Sequence, residues 1–269
     1  MKKLKFKKSR ANLGKWDSIV RKVKAPLKKA EIAVVGKYVE VADAYKSIKE
    51  ALIHAGIVNN ARVNIRWVDS ERFEKGEKPV VVLKGVGGIL VPGGFGMRGI
   101  EGKIAAIKYA RENKVPFFGI CLGMQSAVIE FARNVLKMKN ANSTEFDKET
   151  KYPVIALLEA QKEVKDMGAS MRLGAYPCRV KAGTNAAAAY KEKIIFERHR
   201  HRYEFNNCYR EDFEKAGMVF SGLSPDNVLV ETVEIKKHPW FTAVQFHPEF
   251  KSKPSACHPL FREFVRKSL

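Results

Sequence analysis

The fold of this chain is decided by the stretch FFGICLGMQ, residues 117–125. Its apolar run ends at Cys121, which has a glycine two positions away on each side, and a helix-compatible run follows at residues 126–136. A strand that turns sharply into a helix at such a cysteine is the pattern of a nucleophile elbow, in which glycines relieve crowding at the turn. The helix N-terminus favours the thiolate form of the cysteine. The alternative for the motif alone is a buried structural cysteine.

A second motif, near the C-terminal end, supplies a base for that cysteine. Residues 241–249 read FTAVQFHPE, an apolar strand pattern that ends in His247, a proline and Glu249. A cysteine nucleophile needs a base, and the base needs an acceptor that orients it. Positions two apart on an extended chain point to the same face, so the carboxylate can fix the imidazole tautomer. The sequence therefore predicts a triad of Cys121, His247 and Glu249, whereas a histidine alone at a strand end is more often structural.

A glycine-rich loop follows another predicted strand at residues 88–96, GILVPGGFG. The loop lacks both the Lys-Ser/Thr pair of a phosphate-binding P-loop and the G-x-G-x-x-G spacing. Acyl transfer through a thioester needs two N–H donors aimed at the developing oxyanion. The N–H of Leu122, directly after the nucleophile, is one candidate, and Gly94 is the other because its backbone can approach a substrate closely. A plain turn between a strand and a helix is the alternative for this loop.

The composition favours one large α/β domain. The chain has 269 residues, 45% of them hydrophobic, which is enough for a sizeable core. Its formal charge is +21, and residues 1–30 hold twelve Lys or Arg against one acid, Asp17. We interpret residues 1–30 as a basic lead or linker and residues 31–269 as the domain. A solvated tail explains such a charge run, and nucleic acid is not an expected partner because no RNA-binding fingerprint, zinc finger or helix-turn-helix signature is found.

The cysteines and the hydropathy pattern argue against several other classes. Four cysteines are scattered without a C-x-x-C pair, so neither a disulfide framework nor a zinc site is indicated, and we expect no metal. The basic start is not followed by the apolar segment of a signal peptide. A reactive thiol suits a reducing compartment, and no apolar run approaches the roughly 20 residues that span a bilayer. We therefore expect a cytoplasmic protein that has no membrane contact.

Alternating strand and helix patterns predict an α/β fold. In the first half, apolar strand-like runs alternate with helix-like stretches, at residues 32–36, 44–55, 63–68, 88–91 and 102–113. Such alternation implies a mostly parallel central sheet flanked by helices. The second half is less regular, and its strand-like patterns fall at residues 172–180, 197–205 and 228–235. The last of these alternates like an antiparallel strand.

Three motifs together resemble the class I glutamine amidotransferases, namely PGGFG at residues 92–96, GICLGMQ at 119–125 and FHPEF at 246–250. Further stretches are similar to the glutaminase domain of the CTP synthase family, at residues 35–40, 43–47, 140–146, 171–176, 198–203 and 238–241. The resemblance runs from about residue 31 to the end. It implies the flavodoxin-like α/β fold of class I glutamine amidotransferases, with a nucleophile elbow.

The resemblance also implies an activity. Cys121 would attack the side-chain amide of L-glutamine, with His247 and Glu249 completing the triad. Ammonia would leave as a γ-glutamyl thioester forms, and water would then release glutamate. The oxyanion and substrate contacts would involve Gly94 and three residues that follow the nucleophile, namely Leu122, Gly123 and Met124.

The glutamine-binding positions of the family match Gln125, Glu145 and Arg202. Free glutamine carries an ammonium and a carboxylate, so its pocket needs one anionic and one cationic partner. Glu145 suits the ammonium, and the planar fork of Arg202 suits the carboxylate. Without the resemblance, each of these two charges would be read as part of a surface ion pair.

One large departure from the CTP synthase pattern affects the expected partners. That family also carries an N-terminal ATP-dependent amidoligase domain that makes CTP from UTP, and nothing in this sequence resembles it. The resemblance implies that an amidoligase domain or subunit is the partner, that ATP and Mg²⁺ act only there, and that GTP is an allosteric activator. It also implies a homo-oligomeric full enzyme. Glutamine hydrolysis itself should need no cofactor.

Two rival interpretations stay open on the sequence. A free-standing Cys-His hydrolase that acts on γ-glutamyl compounds would use the same triad. A basic regulatory or nucleic-acid-binding module could keep the fold without the chemistry, although an intact triad argues against it. Smaller departures from the family pattern fall at Met97 and at residues 168–170.

Overall fold

The computed structural model describes residues 12–41, 43–157 and 171–269. The departure noted at residues 168–170 and the first part of the basic lead lie outside the described residues. The strands of the described part are β1 Lys28–Gly36, β2 Ala61–Asp69, β3 Gly88–Val91, β4 Phe117–Ile120, β5 Asn142–Ser143, β6 Pro153–Ala156, β7 Arg172–Val180, β8 Ile194–His201, β9 Glu204–Phe205, β10 Met218–Leu223, β11 Val230–Ile235 and β12 Phe241–Val244.

Most helices in the described part of the chain connect these strands. They are α1 Gly14–Lys24, α2 Lys46–Asn59, α3 Glu71–Glu74, α4 Pro79–Val82, α5 Ile100–Glu112, α6 Leu122–Asn134, α7 Asn185–Tyr190, α8 Arg210–Lys215 and α9 Pro259–Lys267. Two 3-10 turns cover Asn207–Tyr209 and Pro248–Phe250. Among the described residues, no helix combines the length and the apolar character needed to cross a membrane.

A nine-stranded sheet organises the molecule, in the order β2-β1-β3-β4-β12-β11-β10-β7-β8. The first five strands in this order are parallel to one another, and the other four continue the sheet in antiparallel pairs. The parallel order β2-β1-β3-β4-β12 is the 2-1-3-4-5 order of flavodoxin-like folds. The predicted α/β fold is thereby confirmed, and so is the antiparallel strand at the end of residues 228–235.

Helices cover both faces of the parallel strands, which explains why those strands are apolar without a break. Alternate residues of β4 serve opposite faces. Phe117 packs against Phe241 with ring centroids 4.5 Å apart, in the hydrophobic cluster that α5 and α6 share. Phe118 lies in the other cluster, where its ring meets Phe261 of α9 at 5.1 Å. Strand β4 is therefore packed on both of its faces.

The strand-like pattern predicted at residues 197–205 is divided in the structure: β8 ends at His201, and Glu204–Phe205 form the separate strand β9. In β8, Glu197, His199 and His201 are buried, whereas Arg198 and Arg200 are exposed. Two-residue periodicity sends alternate side chains to opposite sides of a sheet. The arginines consequently face solvent while the intervening polar side chains enter the interior.

The segment before the sheet differs from the rest of the domain. The spacing of the apolar residues Trp16, Ile19, Val20 and Val23 predicts a short amphipathic turn, and the structure has the helix α1 there. This helix buries none of its residues. Strand β1 begins at Lys28, so the sheet includes the last residues of the predicted lead.

Candidate active site

The strand-to-helix turn at Cys121 has the strained backbone of a nucleophile elbow. Cys121 has φ 51° and ψ −104°, a conformation that residues with a side chain rarely adopt. Such strain costs on the order of 1–3 kcal/mol and persists only where the surroundings enforce it. Here the Cys121 N–H donates to the Val244 carbonyl at 2.7 Å, which ties the turn to β12. The side chain is only 3% exposed and stands at the N-terminus of α6.

The glycines on either side of Cys121 are required because neither position has room for a side chain. A Cβ on Gly123 would lie 2.1 Å from the carbonyl oxygen of Val91, which is backbone and has little freedom to move. A Cβ on Gly119 would lie 2.9 Å from both the Cβ of Ala243 and the carbonyl group of Gly123. The prediction that glycines relieve crowding at this turn is confirmed.

His247 and Glu249 meet as predicted, but by a different local geometry. The Nδ1 atom of His247 lies 2.7 Å from Oε1 of Glu249. Strand β12 ends at Val244, however, and Pro248–Phe250 form a 3-10 turn, so the two side chains do not share the face of an extended strand. Proline is well suited to the first position of such a turn. The N–H of His247 donates to the Arg198 carbonyl at 2.7 Å, which anchors the loop to β8.

The histidine of this pair holds its proton strongly. Burial acts to lower the pKa of His247, but hydrogen bonds to Cys121 and Glu249 outweigh burial and raise the pKa to about 10. His247 is therefore an imidazolium at neutral pH. A cation beside a cysteine favours the thiolate form of that cysteine. The geometry thus suits a thiolate–imidazolium pair that Glu249 orients.

The glycine-rich loop closes against this pair. A Cβ on Gly93 would lie 2.8 Å from Cε1 of His247 and 3.5 Å from the Cβ of Cys121, so the loop contacts both. Two cavities meet there, and both are lined by Gly94, Phe95 and Cys121. Cys121 and Gly94 thus lie side by side in the lining of both cavities, and the role of Gly94 as an oxyanion donor stays a prediction.

One cavity, of about 210 Å³, extends past the histidine, and its lining includes Asp43, Ser47, Arg200, His247 and Phe250. The other has a volume of about 270 Å³, and its lining includes Gln125, Glu145, Met171, Arg202 and Tyr203. The second cavity brings one carboxylate and one guanidinium to the same space. That charge pair is what the two termini of a free amino acid require.

Not every predicted substrate residue lines these cavities. The side chains of Leu122 and Met124 are buried in the hydrophobic core, and Gly123 packs against Val91. Only backbone groups of these three residues are available to a substrate. Their assignment as substrate contacts stays a prediction.

Glu145 has a second contact that the sequence did not indicate. Its Oε1 accepts a hydrogen bond from the N–H of Gly96 at 3.0 Å, so the carboxylate also fixes the end of the glycine-rich loop. The two residues are 49 positions apart, and nothing in the local pattern links them.

A buried lysine beside the same loop was also missed. Lys103, in the first turn of α5, is 1% exposed, and its Nζ lies 3.9 Å from the place of a Cβ on Gly94. Burial and the neighbouring charge of Lys37 lower the pKa of Lys103 to about 8. Lys37 itself donates from Nζ to the Phe95 carbonyl. The loop predicted to face an oxyanion therefore lies in a positive local potential, which stabilises developing negative charge.

A buried cluster of ionisable side chains lies next to β8, and the sequence did not predict it. Arg172 donates to Glu231 at 2.9 Å and to Glu204 at 3.2 Å, and both carboxylates are buried. Burial raises the pKa of Glu204 to about 8, and burial lowers the pKa of His201 to about 3. The neutral ring of His201 can donate to the Tyr203 carbonyl, 3.2 Å away. The available sequence signal was the alternation of charged and polar residues in this strand.

Metal ligands are not assembled at this site or elsewhere in the part of the chain that the structure describes. No group of three or more His, Cys, Asp or Glu side chains within those residues is placed to hold a metal ion.

Comparisons with known proteins agree with this geometry. The family model for glutamine amidotransferase class-I matches residues 40–267. The CTP synthase of Carboxydothermus hydrogenoformans is 59% identical over 269 residues, which are 100% of this chain and 50% of that protein. The CTP synthase of Aquifex aeolicus is 56% identical over 267 residues, 99% of this chain and 50% of that protein. The chain thus spans about half the length of the curated relatives it matches.

Solved structures show the same likeness. The glutaminase domain of Trypanosoma brucei CTPS, with bound acivicin, matches with a TM-score of 0.84 and 42% identity, over 89% of this chain and 93% of that one. A glutamine amidotransferase from Thermotoga maritima matches with a TM-score of 0.50 and 14% identity, over 89% of this chain and 96% of that one. At such low identity the second likeness extends to the fold alone. The resemblance predicted from the sequence motifs is confirmed.

Proposed function

This chain belongs to the class-I glutamine amidotransferase family, and on that premise we propose that it is the glutaminase domain of a CTP synthase and hydrolyses L-glutamine to glutamate and ammonia. One observation carries the proposal. Cys121, on its strained elbow, lies where the cavity beside His247 meets the cavity lined by Glu145 and Arg202. A nucleophile, a proton donor and partners for both ends of an amino acid therefore surround one space.

In the first half of the proposed reaction, the thiolate of Cys121 attacks the side-chain carbonyl carbon of glutamine and forms a C–S bond. The carbonyl oxygen becomes an oxyanion, which backbone N–H groups of Gly94 and Leu122 stabilise. The imidazolium of His247 gives its proton to the amide nitrogen, the C–N bond breaks, and ammonia leaves. A γ-glutamyl thioester and a neutral imidazole remain.

In the second half, the neutral imidazole of His247 accepts a proton from water while the water oxygen attacks the thioester carbon. The C–S bond breaks, the new carboxyl group loses its remaining proton to solvent as glutamate leaves, and the thiolate–imidazolium pair is restored. Glu249 holds the ring in one orientation throughout. Arg202 and Glu145 bind the carboxylate and the ammonium of the substrate, and Gln125 lines the same cavity.

The decisive test compares glutamate release by the wild type with release by Cys121→Ala. We expect activity to fall by at least about 10⁴-fold, because removal of a triad nucleophile leaves only binding and oxyanion stabilisation. Cys208→Ala is the matched control, since Cys208 is an exposed cysteine outside both cavities, and it should keep wild-type activity. Glutamine turnover that survives in Cys121→Ala would refute the mechanism. Turnover of γ-glutamyl peptides without turnover of free glutamine would favour the free-standing hydrolase instead.

The fate of the ammonia is inferred from the CTP synthase relatives, of which this chain spans about half the length. We propose that an amidoligase domain or subunit uses it to aminate UTP to CTP, with ATP and Mg²⁺ acting there and GTP as an activator. The complete enzyme would be a cytoplasmic homo-oligomer, and glutamine hydrolysis itself would need no cofactor. The test mixes this chain with the separately produced amidoligase half of a relative and measures CTP formed from glutamine. Cys121→Ala should abolish glutamine-dependent synthesis, and added ammonium chloride should restore it.

A further inference from the structure

Gln245, which is not a member of the predicted triad, contacts the sulfur of Cys121. It follows the last residue of β12 and is fully buried. Its Nε2 atom lies 3.7 Å from Sγ of Cys121, a normal separation for an N–H donor and a sulfur acceptor. Its backbone N–H donates to the Glu231 carbonyl at 2.9 Å, so the residue is held at both its main chain and its side chain.

The orientation of this amide follows from its neighbours. Gln125 directs its Nε2 to the Tyr203 carbonyl at 3.1 Å, and a carbonyl oxygen can only accept. The same Nε2 lies 3.3 Å from Oε1 of Gln245, so that oxygen must be the acceptor. The remaining end of Gln245 is its NH₂ group, and this group faces Cys121. Turning the Gln245 amide over would bring two NH₂ groups together and leave the sulfur facing an oxygen.

We propose that Gln245 is a catalytic residue that donates an N–H hydrogen bond to the Cys121 thiolate, and that Gln125 positions it. The substrate assigned to this chemistry rests on the proposed function; the contact with the sulfur does not. A hydrogen bond to an ionised acceptor is markedly stronger than one to a neutral acceptor. The bond therefore weakens when the sulfur becomes a neutral thioester and is regained when thiolate leaves the thioester in the second half of the reaction. Gln245 thus raises the population of thiolate before the attack and assists its departure afterwards.

The test uses Gln245→Met, which keeps the length of the side chain and removes both N–H donors. We expect kcat for glutamine hydrolysis to fall about tenfold, as the loss of one hydrogen bond to a charged group predicts, while KM stays nearly unchanged. The rate at which iodoacetamide alkylates Cys121 at neutral pH should fall by a similar factor, measured by mass spectrometry of the Cys121 peptide. The γ-glutamyl adduct on that peptide should accumulate during turnover.

Thr242→Val is the matched control. Thr242 lies on β12, is fully buried, and its Oγ1 has no hydrogen-bond partner within the described part of the chain. This variant should keep the wild-type kcat and the wild-type alkylation rate. If Gln245→Met does not fold, as judged by thermal unfolding, Gln245→Glu keeps the shape of the side chain and places a carboxylate by the sulfur, which should slow alkylation further.

The outcomes separate this inference from the proposed function. If a folded Gln245 variant keeps the kcat and alkylation rate of Thr242→Val, the proposed role of Gln245 is wrong, even if Cys121 hydrolyses glutamine. If the wild type does not release glutamate but alkylation of Cys121 still depends on Gln245, the proposed function fails and the contact with the thiolate stands. A rise in KM with kcat and alkylation unchanged would assign Gln245 to substrate binding and overturn the proposal.

Discussion

Two helices of similar length, α6 and α1, differ in how much of their surface is buried, and the reactive cysteine lies next to the buried one. Helix α6 has thirteen residues and buries eleven of them, whereas α1 has eleven residues and buries none. Even the carboxylate of Glu130 in α6 is buried, where Arg111 grips it with Nη2 at 2.7 Å and Nε at 2.8 Å. An isolated helix as short as α1 is marginal in water, and most helical stability comes from packing. The strained backbone of Cys121 lies at the N-terminus of α6, and the close packing around α6 can enforce that strain.

The largest difference between the two helices should come from adding one methyl group to a glycine. Gly123→Ala should destabilise the protein by about 3 kcal/mol, because its Cβ would stand 2.1 Å from a backbone oxygen and the turn must shift. Gly14→Ala in α1 meets nothing closer than 3.4 Å and replaces a poor helix former, so it should be neutral or slightly stabilising. Urea unfolding of both variants measures the contrast. Equal effects would mean that the elbow is not the enforced turn described above.

Local patterns were enough to predict the elbow and the meeting of His247 with Glu249, since each depends on a few adjacent residues. The strand-like character of residues 197–205 was also predictable in part, although β8 begins at Ile194 and ends at His201. The 3-10 turn at Pro248 was not, since a strand pattern up to residue 246 does not reveal that the ladder ends at Val244. Pairing sets that boundary, and the partners of β12 lie in other parts of the chain.

Contacts between distant segments account for what the sequence could not supply. The bond from Gly96 to Glu145 joins residues 49 apart, and the contact between Gln245 and Cys121 joins residues 124 apart. No spacing rule relates such positions, because the sheet order that brings them together is a property of the whole fold. Resemblance assigned Glu145 to the substrate, and only the structure added its contact with the loop.

The proton on His247, beside the Cys121 turn that begins α6, gives the next smaller effect. Because the pKa of His247 is raised to about 10, the imidazolium persists through neutral pH and is lost as the pH rises through that value. The leaving amine then has no proton donor, so kcat should stay level near neutrality and fall about tenfold between about pH 9 and pH 11. Return to neutral pH should restore activity, which controls for unfolding. A fall that begins near pH 6.5, the ordinary histidine value, would contradict the coupling of His247 to Cys121.

The smallest effect is expected for Val20→Ala in α1, and the same change in α6 supplies its reference. Val20 is 45% exposed, so its truncation should change the free energy of unfolding by less than about 0.5 kcal/mol. Val128 in α6 is fully buried, and Val128→Ala should cost about 2 kcal/mol because it removes packed methyl groups and leaves a cavity. Glutamate release per folded molecule should be unchanged by Val20→Ala, since α1 lines neither cavity at Cys121. If Val20→Ala destabilises the chain as much as Val128→Ala does, α1 is packed in solution, and the contrast between the two helices fails.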